Sequence, residues 1–97
     1  MDKAENLQSW KRELETKKLE INKRRNTIEE KIEKYKVRYE IASKINEGDK
    51  LYIAEQLRNQ LDQYKQELAQ FEERNNPELA EVEAILKEID NELKKID

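Results

Sequence analysis

The sequence predicts an all-α protein, an antiparallel helical hairpin whose second arm is kinked or broken at Pro77. Three observations carry that expectation. Among 97 residues there is one glycine and one proline, far below the usual ~7% and ~5%, so the elements must be few and long. Charged residues make up 44% and apolar residues 35%, and the apolar ones recur with a period that a disordered chain would lack. The charge is also divided. Residues 1–46 hold 13 Lys/Arg against 9 Asp/Glu, whereas residues 47–97 hold 7 against 14. A bend near Gly48 lays a basic arm along an acidic one, and opposite charges beside a helical seam set orientation and pairing. Exposed pairs contribute little individually, so burial of the apolar layers must supply the stability.

The first helix is expected over about 2–46. Leu7, Leu14, Ile21, Ile28, Tyr35 and Ala42 lie seven apart, with Trp10, Ile32 and Tyr39 three or four residues from members of the set. All fall on one stripe of an amphipathic helix. Thr27 and Glu30 fit a capping box, but the stripe runs through them in phase, so one continuous helix is expected. Lys17, Arg24, Lys31 and Arg38 take the other core position beside the stripe, and Lys11, Lys18 and Arg25 line its far edge. Long basic side chains can lay their methylenes over apolar surface and keep the charge in water. Trp10 is read as core, with an interface anchor as the alternative.

A turn is expected at about 46–49. Gly48 can take the left-handed conformation that ends a helix, and Asp49 can cap the next one. The rival is a single rod through Gly48, at a cost of about 1 kcal/mol relative to alanine; such rods would pair between chains. The second helix, about 50–75, carries Ala54, Leu57, Leu61, Tyr64, Leu68 and Phe71 at alternating spacings of three and four. At the join, Asn76 suits an N-cap and Pro77 the first helical position. A third helix over about 77–96 then carries Leu79, Val82, Leu86, Ile89, Leu93 and Ile96, displaced from the preceding pattern by a four-residue stutter. Pairing residues whose numbers sum to about 96 matches Ile45 with Leu51, Ala42 with Ala54, Tyr35 with Leu61, Ile28 with Leu68, Leu14 with Val82 and Trp10 with Leu86. It also brings Arg24 and Arg25 near Phe71, where a guanidinium can stack on the ring. The whole chain, 1–97, is read as a single hairpin domain.

Composition excludes more than it assigns. Cysteine and histidine are absent, so there is no disulfide framework and no thiol or imidazole chemistry. Glu-x-x-His di-iron ligands and a phosphate-cradling glycine loop are missing too. No enzyme activity, catalytic residue, cofactor or metal is expected. The apolar runs are too short to span a membrane, and the start lacks the order of a signal peptide. A cytoplasmic protein is expected, with signal-less export as the alternative.

The sharpest candidate contact lies near the turn. Val37, Ile41 and Ile45 form a row at spacings of four on the side of helix 1 away from the stripe, and Tyr52 is off the stripe of helix 2. Apolar surface beyond what the hairpin uses suggests self-association into a bundle or docking of a protein partner; the plainer reading is scattered exposed apolar residues. The basic series Lys17, Arg24, Arg25, Lys31 and Arg38 is a second, electrostatic candidate, weighed against pairing with the acidic arm. A pI near 5.2 argues against nucleic acid, whose affinity follows phosphate neutralisation.

Size and hairpin shape resemble the small WXG100-type secreted proteins, which implies a secretion partner; the turn reads Asn46-Glu47-Gly48-Asp49 without Trp-x-Gly, and no Tyr or Phe precedes an Asp or Glu by four. The segment from Lys44 to Ala54 is similar over about ten residues to the Lys-Ile-x-x-Gly segment of the Rho-binding HR1 finger. The function expected is a non-catalytic protein–protein interaction module: an adaptor, a scaffold, or a targeting or assembly chaperone. It would act as a homo-oligomer or within a hetero-complex. The alternatives are a small inhibitor that meets a basic groove through the acidic arm, and a WXG100-like secretion partner lacking the motif.

Overall fold

The computed structural model describes residues 2–45 and 52–96. Two helices account for nearly all of them, α1 (Lys3–Ser43) and α2 (Tyr52–Ile96), and no strand occurs among the described residues. The fold is the expected all-α helical hairpin. The expected turn at 46–49, with Gly48 and the Asp49 cap, lies outside the described residues, as does Leu51, the expected partner of Ile45.

Helix ends follow from local chemistry. Asp2 caps α1: its Oδ1 accepts from the backbone N–H of Glu5 at 2.8 Å, and its carbonyl accepts from Asn6 at 3.0 Å. A short acidic side chain is well suited to the unpaired N–H groups there. At the other end the bonds tighten, Lys44 N–H to Ile41 carbonyl at 3.2 Å and Ile45 N–H to Ala42 carbonyl at 3.3 Å, a common way to satisfy terminal carbonyls. Helix 1 therefore stops at Ser43, short of the expected residue 46.

At Pro77 the structure decides between the two expected forms, a kink and a break, against the break. Helices over 50–75 and 77–96 with a break between them do not form; α2 runs through Pro77 as one helix. An interior proline removes one hydrogen bond, here to the Glu73 carbonyl, and costs about 3 kcal/mol. Pro77 and Glu73 are both exposed, so water reaches the freed carbonyl, while buried Phe71 and Val82 hold the helix on either side. The expected stutter also has a simpler form. Ala54, Leu61, Leu68, Asn75, Val82 and Ile89 continue every seven residues, all buried or half-buried. The pattern looks interrupted only because a half-buried asparagine stands at one seam position.

Burial also decides which flank of the α1 stripe is core. Leu7, Leu14, Ile21, Ile28, Tyr35 and Ala42 alternate in the seam with Lys11, Lys18, Arg25, Ile32 and Tyr39, all at least half-buried. The series Lys3, Trp10, Lys17, Arg24, Lys31, Arg38 is exposed throughout. Lys17, Arg24, Lys31 and Arg38 are thus a flank of the seam and not its second core position. Trp10 belongs to the same flank and is 45% exposed, which corrects its reading as core.

The chain divides into two compact units, each built from a segment of both helices: Met1–Lys23 with Glu73–Asp97, and Arg24–Glu72. In the first, the base unit, Ile21, Val82 and Ile89 are buried. In the second, the tip unit, Ile28, Ala54, Leu61 and Phe71 are. Within each unit rising numbers on α1 meet falling numbers on α2, so the segments are antiparallel.

Candidate interaction site

The exposed α1 flank shows how each unit seats its cations. In the base unit Lys3 meets Glu92 at 3.3 Å and Lys17 pairs with Glu78. In the tip unit the Arg24 guanidinium lies 5.4 Å from the centre of the Phe71 ring, and the Lys31 ammonium lies 5.4 Å from that of Tyr64. In all four pairs the residue numbers sum to 95, close to the expected 96, and the stacking of Arg24 on Phe71 is observed. Arg38 turns to Tyr35 of its own helix at 5.4 Å, a ring that also meets Tyr64 at 5.2 Å. Arg25 Nε stands 3.9 Å from Glu72. All five basic candidates are therefore engaged inside the chain, Lys17 and Arg25 by carboxylates and Arg24, Lys31 and Arg38 by rings.

Seam lysines of the base unit reach outward. Lys11 and Lys18 meet Asp90 at 2.7 Å and Glu83 at 3.4 Å, their side chains only 33% and 40% exposed. Lys18 borders a shallow depression with Leu19 and Leu86. A lysine tolerates a seam position because its methylenes lie on such apolar flanks while the ammonium finds an acid at the rim. Hydrogen bonds from Lys11 to Asp90 and from Lys17 to Glu78 raise the pKa of each lysine above its ordinary value. Hydrogen bonds from Lys3 and Lys95 hold the Glu92 carboxyl below its ordinary value.

The apolar candidates lie in the tip unit and are exposed: Val37 at 47%, Ile41 at 58%, Ile45 at 55% and Tyr52 at 67%. The hairpin seam uses none of them. Sequence reasoning missed Ile53, 64% exposed, because it adjoins Ala54 and a stripe count leaves it on the flank. It also missed Leu19, 67% exposed in the base unit, a lone leucine that no periodic pattern marks. Among the described residues no cluster of His, Cys, Asp and Glu could hold a metal ion, and no helix is long and apolar enough to cross a membrane. Comparison with protein-family models, curated proteins and solved structures finds no match for this chain.

Proposed function

We propose that this chain is a non-catalytic protein–protein interaction module, an adaptor, scaffold or assembly chaperone, and that its contact surface is the end of the tip unit where α1 stops and α2 begins. One observation carries the reading: Val37, Ile41, Ile45, Tyr52 and Ile53 leave large apolar side chains in water within one unit. Burying these side chains against a partner gains the hydrophobic term that the hairpin itself does not collect. The engaged cations support the same choice, because a basic face already occupied by its own rings and carboxylates has less to offer an acidic partner. Likewise Glu78, Glu83, Asp90 and Glu92 of α2 each meet a lysine, which leaves the inhibitor reading through the acidic arm with less free charge.

Site-specific photo-crosslinking tests the reading. A photoreactive residue at Ile41 or Tyr52 is expected to give discrete protein adducts in cells, whereas one at exposed Glu29 gives none. Equal labelling from all three positions would remove the tip as the contact surface.

A further inference from the structure

The tip unit carries an uncharged row on α2. Ile53, Gln56, Gln60 and Gln63 recur at spacings of three and four, so they share one helix face, and all four are exposed. They line one shallow depression together with Leu57 and Asn59. The charged residues of the same stretch, Glu55, Arg58 and Asp62, fall at other helical positions. In a chain with 44% charged residues, about three turns of α2 thus present a face of amides with an isoleucine at its end.

We infer that this row is the contact by which two copies of the chain associate, α2 against α2. The inference rests on the tip being a contact surface and narrows its partner to a second copy. A carboxamide both donates and accepts hydrogen bonds, so a face of glutamines is complementary to itself, as an interface across a two-fold axis requires. A face bearing charge of one sign is not. An axis passing between Gln56 and Gln60 sets Gln56 of one copy against Gln60 of the other, and Ile53 against Gln63. The neighbouring α1 segment cannot replace α2 at this axis. It carries Lys31, Lys34 and Arg38, all exposed and seated over Tyr64 and Tyr35, and two such segments face to face would repel. Ile41 and Ile45 then border the contact and widen its apolar part.

Sedimentation equilibrium of the purified full chain tests this directly. The wild type is expected to rise from 11.8 kDa toward twice that mass with concentration. Gln60→Glu sets carboxylates into the axis and is expected to weaken association about tenfold or more, with helix content unchanged because the site is exposed. Ile53→Glu should act in the same direction, and Leu19→Glu in the base unit should not. A wild type that stays at 11.8 kDa, or a dimer indifferent to both tip substitutions, would overturn the inference. So would a dimer that only Leu19→Glu dissociates. Failure here is separable from failure of the proposed function: a monomer whose Ile41 photoadduct contains a different protein sinks the homodimer alone, whereas equal labelling at Glu29 sinks the tip as a surface.

Discussion

The two units bury similar helices by different chemistry. In the base unit the α1 seam alternates leucine with lysine, and the lysines and their flanking neighbours end on carboxylates of α2. In the tip unit the α1 seam carries Ile32, Tyr35 and Tyr39, and the flanking cations Arg24 and Lys31 rest on rings of α2. The base thus holds its flank with pairs that need an ionised acid, the tip with pairs that need only a cation and a π face. The difference extends to the surface. The base leaves Trp10, Leu19 and Ile96 exposed as separated residues, while the tip leaves five large apolar side chains between Val37 and Ile53. A unit whose seam is richer in aromatic residues also carries the apolar excess, which is why the proposed contact surface lies there.

Removing one side chain from each seam gives the largest expected effects. Phe71→Ala takes away the most deeply buried ring of the tip, at 8% exposure, together with the seat of Arg24; a loss of about 3–5 kcal/mol is expected. Ile89→Ala in the base, where Ile89 is 3% exposed, should cost about 2–3 kcal/mol, low in the range because a two-helix seam can partly collapse. Urea denaturation followed by circular dichroism measures both. If Ile89→Ala costs more than Phe71→Ala, the aromatic seam is not what distinguishes the tip.

A smaller effect comes from pH and separates the two kinds of flank. The Glu92 carboxyl is held below its ordinary value of 4.5 by Lys3 and Lys95. Its contribution is therefore complete above 4.5 and is lost as the pH falls through the lowered value. Lys11 and Lys17 are raised above 10.5 by Asp90 and Glu78, so theirs is complete below 10.5 and is lost as the pH rises through the raised values. The base should lose protection against hydrogen exchange on the acid side before the Arg24–Phe71 and Lys31–Tyr64 region does, since neither of those contacts needs a carboxylate and the Arg25–Glu72 pair beside them is long, at 3.9 Å. Equal loss in the two units between about pH 5 and pH 3, the range in which carboxylates titrate, would erase the distinction.

Much of this was legible in the sequence because it is periodic. The heptads of Leu7 to Ala42 and of Ala54 to Phe71 placed the seam, the uneven charge placed the arms against each other, and the register put Arg24 at Phe71. Val37, Ile41, Ile45 and Tyr52 stood out as apolar residues off the stripe, and each is exposed. The flank was not legible. Cations recur on both sides of the α1 stripe, so period alone could not tell the seam lysines Lys11 and Lys18 from the exposed Lys17. The helical path through Pro77 depends on water reaching the Glu73 carbonyl and on burial either side, which no local motif records. The glutamine row escaped because amides leave no mark in either the apolar or the charge pattern.

Trp10 gives the finest test, because among Lys3, Trp10, Lys17, Arg24, Lys31 and Arg38 it alone is not a cation. Lys3, Lys17, Arg24, Lys31 and Arg38 each meet the α2 residue whose number completes 95, or in the case of Arg38 a ring on its own helix. The same rule sets Trp10 opposite Ile85, which is half-buried and apolar, so an apolar residue of α1 faces an apolar residue of α2. If the indole contributes only by covering Ile85, a lysine stem should cover much of the same surface. Trp10→Lys is then expected to change stability by no more than about 0.5 kcal/mol, as for a surface site. A loss several times larger in urea denaturation would show that the base depends on an aromatic contact of its own, and that its flank and the tip's are more alike than their partners suggest.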